Sequence, residues 1–164
     1  LANLRIYEAA QREAKYRGMG TTMVSSLFSD GVLIVGHVGD SRGYRVRNGQ
    51  IEQLTEDHSL LNDYIKAKKL TQDEIDNFPH KNVIVRALGM KDTVQVDVGR
   101  VDPQEGDIFL LCSDGLSGMV TDPEILRIVG ESPELDQAVE RLVEEANRNG
   151  GMDNVTVLIV QCGA

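Results

Sequence analysis

Residues 27–54 read LFSDGVLIVGHVGDSRGYRVRNGQIEQL, and the fold turns on this stretch. Asp30-Gly31 separates two runs with strand chemistry, 22–28 and 32–38, and Asn48-Gly49 separates two more, 43–47 and 50–54. Asp, Asn and Gly tolerate the positive φ that a tight turn between antiparallel strands demands, so each dipeptide predicts a hairpin. Two such turns in succession predict an antiparallel meander.

Working outward, residues 1–15 read as a helix. Leu4, Tyr7, Ala10 and Ala14 recur at three- and four-residue steps and share one face, and Gly18-Met19-Gly20 stops the helix. Downstream, residues 57–81 are polar, carry Lys66, Lys68 and Lys69, and contain Thr71-Gln72-Asp73-Glu74, a capping box. This pattern predicts one or two short helices between strands, a flap spanning about 59–81. Strands are expected at 93–101 and 107–112. The second is a continuous apolar run, IFLLC, as in a strand covered on both faces. Thr121-Asp122-Pro123-Glu124 opens a helix with another capping box. Ser132-Pro133 is expected to open the next, with Ser as N-cap and an apolar face of Leu135, Ala138, Val139, Leu142, Val143 and Ala146. Gly150-Gly151 ends it, and a last strand covers 155–161. Antiparallel strands with separate helices give an α+β class, helices packed on sheet faces, in one domain over 1–164.

Composition narrows the function. With 41% hydrophobic and 26% charged residues, the 164-residue chain has the make-up of a globular protein. No stretch approaches the roughly 20 apolar residues that cross a bilayer, and residues 1–14 lack the apolar core of a signal peptide. A soluble, cytoplasmic protein is expected. Acidic residues outnumber basic ones 26 to 17, a formal charge of −9, which argues against nucleic acid and against a polybasic membrane anchor. Cys112 and Cys162 lie in apolar runs without the spacing of a zinc site, and are read as free thiols.

Three aspartates stand just beyond a strand or helix, beside small or polar residues: Asp40 in Val38-Gly39-Asp40-Ser41, Asp114 in Ser113-Asp114-Gly115, and Asp153 in Gly151-Met152-Asp153-Asn154. A rigid element fixes where its terminal carboxylate points, and an adjacent glycine lets backbone approach closely. Oxygen donors of this kind suit Mg²⁺ and Mn²⁺. Each motif alone also occurs in ordinary turns. His37, His58 and His80 are read as structural.

The order of six blocks adds to this reading. They are Gly18-Met19-Gly20-Thr21-Thr22, His37-Val38-Gly39-Asp40-Ser41-Arg42, Leu54-Thr55-Glu56-Asp57-His58-Ser59, Val83-Ile84-Val85-Arg86-Ala87-Leu88-Gly89, Leu110-Leu111-Cys112-Ser113-Asp114-Gly115-Leu116 and Gly150-Gly151-Met152-Asp153-Asn154-Val155-Thr156. In this order, over nearly the whole chain, they resemble the type 2C metal-dependent serine/threonine protein phosphatases in their compact bacterial form. The resemblance implies an αββα four-layer sandwich with two central antiparallel sheets. It implies that Asp114 and Asp153 help hold one of two catalytic Mn²⁺ or Mg²⁺ ions. Asp40, with Asp114, would match a third and weaker cation position. Asn154 and Gly115 would support these ligands from behind, and Arg42 would order its own turn. Ser59, Lys66, Lys68 and Lys69 would belong to the flap region beside the substrate.

The implied reaction is hydrolysis of phosphoserine and phosphothreonine in a phosphoprotein by metal-activated water, with no covalent enzyme intermediate. Cys112 is then a bystander, since no Arg-terminated nucleophile loop follows it. Members of the family open with an Asp-x-Gly-x-x-Arg segment and an Asp-Gly-Met-Gly-Gly-like segment. Neither precedes Leu1, so the chain is expected to lack the N-terminal metal-binding segment, to hold metal weakly, to hydrolyse phosphoesters poorly, and to dimerise through an uncovered sheet edge. Two other readings stand beside the enzyme: a non-catalytic phosphatase-like binding module, and a structural cation-binding domain.

Overall fold

The computed structural model describes residues 1–68, 70–79 and 83–163. Lys69 and His80 lie outside the described residues. Both expected hairpins form. Asp30 and Gly31 take φ of +51° and +76°, and Asn48 and Gly49 take +51° and +71°. Positive φ at both central residues matches the right-handed twist of the flanking strands. The first turn joins β1 (Met23–Ser29) to β2 (Val32–Val38), and the second joins β3 (Arg42–Arg47) to β4 (Gln50–Gln53).

The hairpins do not continue into one meander, which corrects the sequence expectation. β1 and β2 join β5 (Asp97–Val101) in a three-stranded sheet ordered β1-β2-β5. β3 and β4 join β6 (Ile108–Cys112) and β7 (Val157–Gln161) in a four-stranded sheet ordered β4-β3-β6-β7. The chain changes sheet at Gly39-Asp40-Ser41. Gly39 has φ +109°, and a Cβ there would stand 2.3 Å from Thr22 Cγ2, so only glycine makes this corner. Alternation reveals a strand and its faces; it does not say which sheet the strand enters.

The chain forms two compact units. The first comprises Leu1–Met23, His37–Asp40 and Asp57–Asp97; the second comprises Val24–Gly36, Ser41–Glu56 and Val98–Ala164. Within the second, β6 is the central element, antiparallel to β3 (Tyr44 opposite Leu110) and to β7 (Leu110 opposite Ile159). Its apolar run serves two cores, as IFLLC suggested. Phe109 packs with Leu33 and Val35 of β2 between the sheets, and its ring meets Phe28 edge-on at 5.9 Å. Leu110 and Cys112 face the other way, into a core with Tyr44, Ile125, Ile128, Val129, Leu142 and Ala146. Those last residues come from α5 (Asp122–Glu131) and α6 (Leu135–Arg148). A short helix, α4 (Asp114–Ser117), follows β6 directly.

Ser132 does not cap α6. The helix starts at Leu135 after Glu134, and Ser132 instead closes α5, its hydroxyl donating to the Ile128 carbonyl at 2.6 Å. A Ser-Pro pair between two abutting helices serves the end of one as readily as the start of the next. Cys112 is buried, Cys162 half-buried, and both are free thiols.

The first unit holds α1 (Ala2–Arg12), a 3-10 turn at Ala14–Tyr16, α2 (Leu60–Lys68) and α3 (Gln72–Asp76). Two short helices therefore form between residues 59 and 81, as expected, and the Thr71–Glu74 capping box starts α3. The inward face of α1 is the predicted one only in part: Ala10 is buried and Tyr7 half-buried, but Leu4 and Ala14 are exposed. Leu4 is 44% exposed, whereas Asn3 is buried. The Asn3 amide accepts from Gly89 N–H at 2.8 Å and donates to the carbonyls of Lys91 and Asp92 at 3.0 Å. A polar residue that satisfies three backbone groups buries at little cost, and an apolar-periodicity count passes over it.

Candidate metal centre

The second unit draws together the segments that carry two of the predicted ligands, Asp114 and Asp153. The β6–β7 ladder places Cys112 opposite Val157, so the segments that leave these strands, 113–115 and 153–156, are neighbours. They are bonded to one another. Ser113 N–H donates to the Thr156 carbonyl at 3.1 Å, Thr156 N–H donates to Ser113 Oγ at 3.0 Å, and Ser113 Oγ donates to the Asn154 carbonyl at 3.1 Å. Gly115 completes the junction. A Cβ on it would stand 2.3 Å from the Asn154 carbonyl oxygen, so only glycine allows this approach. Gly115 and Asn154 thus keep the two segments side by side through backbone contact.

Asp114 occupies the first turn of α4 and Asp153 the loop before β7; both are exposed. The Asn154 N–H donates to Asp153 Oδ1 at 2.7 Å, fixing that carboxylate on its loop. Exposed carboxylate oxygens are the kind of donor that hard cations such as Mg²⁺ and Mn²⁺ take.

Asp40 is half-buried at the end of β2 and belongs to the first unit. Next to it, Gly39 is clamped by His58: Gly39 N–H donates to His58 Nδ1 at 3.0 Å, and His58 N–H donates to the Gly39 carbonyl at 2.9 Å. Arg42 donates to the Tyr44 hydroxyl at 3.0 Å, and that hydroxyl donates to Asp122 Oδ1 at 3.1 Å. Arg42 therefore orders the start of β3. Burial holds the Tyr44 hydroxyl well above its ordinary pKa. Ser59 is buried and caps α2, its Oγ accepting from Asn62 N–H at 3.2 Å. Lys66 is exposed on the same helix, and Lys68 is its last residue.

A second cluster joins two histidines that the sequence marks as structural to an aspartate it does not single out. His37, His58 and Asp97 bring potential ligand atoms within 4.8 Å of one another. This donor set does not suit an ion. His58 Nδ1 already accepts from Gly39, Nε2 lies 3.1 Å from Asp97 Oδ2, and Arg86 supplies the positive charge, donating to Asp97 Oδ1 at 2.7 Å. Burial lowers the His58 pKa, and the His58 and Arg86 hydrogen bonds lower that of Asp97. The signal was present in the blocks holding His58 and Arg86, but spacing alone does not show that the two side chains meet.

The family model for protein phosphatase 2C matches residues 2–156. The chain belongs to the protein phosphatase 2C family. Protein phosphatase PhpP of Streptococcus pneumoniae is 44% identical over 160 residues, which are 98% of this chain and 65% of that protein. The serine/threonine phosphatase PstP/Ppp of Mycobacterium tuberculosis shares the fold with a TM-score of 0.92 at 36% identity, over 99% of this chain and 68% of that one. The PstP catalytic domain in complex with two manganese ions is similar at a TM-score of 0.88 and 36% identity, over 99% and 67% of the respective chains. The α+β class with two antiparallel sheets is therefore that of the phosphatase 2C structures. The chain spans 65% of the length of the streptococcal relative and 63% of a Listeria relative.

Proposed function

We propose that this chain is the phosphatase 2C catalytic domain, or the part of it that carries Asp114 and Asp153, and that it serves the hydrolysis of phosphoserine and phosphothreonine in proteins. The observation that carries the reading is the junction at Ser113–Gly115 and Asp153–Thr156, which locks two exposed carboxylates onto neighbouring strand ends. Asp114 and Asp153 are the proposed Mn²⁺ or Mg²⁺ ligands, and Asp40 is proposed as a ligand of a further, weaker cation position. A bound divalent cation supplies Lewis acidity and an activated water at neutral pH. The protein's share is to hold the carboxylates in place: Gly115 by its close approach, Asn154 by its backbone bonds. The described helices α2 and α3 would belong to a flap of the same domain, where exposed Lys66 would meet an acidic phosphopeptide.

Mn²⁺-dependent hydrolysis of p-nitrophenyl phosphate and of a phosphothreonine peptide tests this. The assay should use the chain alone and a chimera supplied with the remaining part of the streptococcal relative. Metal-dependent turnover in either supports the reading, and Asp114→Asn should then lower the rate at least about a hundredfold. An active form indifferent to Asp114→Asn refutes the ligand assignment. Folded but inactive proteins in both forms point to a binding module.

No helix among the described residues is long and apolar enough to cross a membrane. Free thiols at Cys112 and Cys162 fit a reducing, cytoplasmic setting. Among the described residues β7 pairs only with β6, and it carries Leu158 and Val160 at 50% and 38% exposure. This edge would pair with a second copy; light scattering that finds only monomer at high concentration removes the dimer.

A further inference from the structure

The corner that carries Asp40 is set by a side chain far along the sequence. Gly39 has no space for a Cβ, and glycine is free to turn about its backbone, so hydrogen bonds decide how firmly the corner is set. Both of its polar backbone groups go to His58, N–H to ring Nδ1 and carbonyl to backbone N–H. A backbone N–H only donates, so Nδ1 carries the lone pair and the neutral ring bears its proton on Nε2. That proton points to Asp97 Oδ2 at 3.1 Å. Arg86 Nη1 lies 3.0 Å from Nε2, but both atoms carry hydrogen; its hydrogen bond is the one to Asp97 Oδ1. Arg86 thus holds Asp97, Asp97 holds the ring, and the ring holds Gly39. His37 stacks on the ring with centroids 4.7 Å apart and planes at 19°, and His58 is only 6% exposed. Tautomer, ring rotation and ring plane are all determined, which is more than packing requires. A phenyl ring would fill the same space.

We propose that His58 is a positioning residue for Asp40: by accepting the Gly39 N–H it sets the direction in which the Asp40 carboxylate leaves β2, and so the affinity of Asp40 for a divalent cation. The proposal rests on the reading of Asp40 as a cation ligand. The arrangement parallels the outer hydrogen bonds that orient metal ligands, whose loss typically costs about ten- to a hundredfold in affinity. Here the influence passes through one peptide unit, and a smaller effect is expected.

The test is a Mg²⁺ titration of the ¹⁵N-labelled chain followed by amide chemical shifts. In His58→Phe, the dissociation constant reported by the Asp40 and Ser41 amides should rise about three- to tenfold, with the Asp153 and Asn154 amides unchanged. In His58→Asn it should stay within about twofold of the parent, because the Asn side-chain oxygen stands where Nδ1 stands and accepts the same proton. A packing role alone predicts the opposite ranking. The proposal is overturned if His58→Phe matches the parent, or if His58→Asn is as weak as His58→Phe. Should the Phe variant not fold, Asp97→Ala leaves the ring but frees Nε2. A rise of about two- to fivefold is then expected, and no rise overturns the proposal. An unsubstituted chain whose Asp40 and Ser41 amides ignore Mg²⁺ instead overturns the cation reading of Asp40, and the proposal with it.

Discussion

Gly115 has no space for a methyl group, because the Asn154 carbonyl lies where a Cβ would go. Gly115→Ala must therefore push apart the segments bearing Asp114 and Asp153. Overpacking of this kind costs about 1–3 kcal/mol, and Mn²⁺ affinity should fall with it; a calorimetric titration that finds parental affinity would contradict the junction's role. Another residue-scale prediction concerns Asp107, 1% exposed. Arg47 Nε donates to its Oδ1 at 2.6 Å and the Gln104 N–H to its Oδ2 at 2.9 Å. The Arg47 hydrogen bond holds the Asp107 pKa below the usual carboxylate value. A depressed folded-state pKa means that the unfolded chain binds the proton more readily. The stabilisation is then present above about pH 4 and is lost as pH falls through the folded value. Asp107→Asn should destabilise by about 2 kcal/mol at pH 7, and the gap to the parent should shrink in urea denaturations below pH 4. A gap independent of pH would show that the charge is not what matters.

Among the elements, the two capping boxes separate local from global effects. Glu124 accepts from Thr121 N–H at 2.9 Å at the start of α5, whose Ile125, Ile128 and Val129 enter the core. Thr121→Ala should cost about 1 kcal/mol of global stability. Thr71 and Glu74 make the same box on α3, a five-residue helix with an exposed cap. Thr71→Ala should quicken amide exchange in α3 and leave the denaturation midpoint unchanged; a shift as large as that of Thr121→Ala would show that α3 unfolds only with the whole chain. These boxes were legible because their parts lie within four residues. The start of α6 is not legible in the same way, because Ser132 has two helix ends within reach, and only the packed structure shows which one it serves.

At the scale of the whole molecule, apolar burial is uneven. Among the described residues, both hydrophobic clusters consist of residues of the second unit, from Leu33 and Phe109 to Leu142 and Ala146. The first unit buries Asn3, His37, His58 and Ser59 beside Ala10, Val38 and Leu88. Polar networks satisfy their groups but contribute less net stability than apolar area. Native-state hydrogen exchange should therefore show residues 57–97 opening at lower free energy than β3 and β6. Leu142→Ala should cost about 2–5 kcal/mol globally. Equal protection in both units would refute this.

What the sequence alone determined is local. Hairpin turns follow from φ limits at Asp-Gly and Asn-Gly, caps from side chains three residues apart, and β6 from an unbroken apolar run. The ordered blocks located the three aspartates and the family. Tertiary structure decided which sheet each hairpin enters, that Asn3 rather than Leu4 faces inward, and that His58, Arg86 and Asp97 form one network. Asn3 bonds to partners 86 to 89 residues away. Contacts at that distance leave no period in the chain, because they arise only when separately specified elements compete for the same buried space.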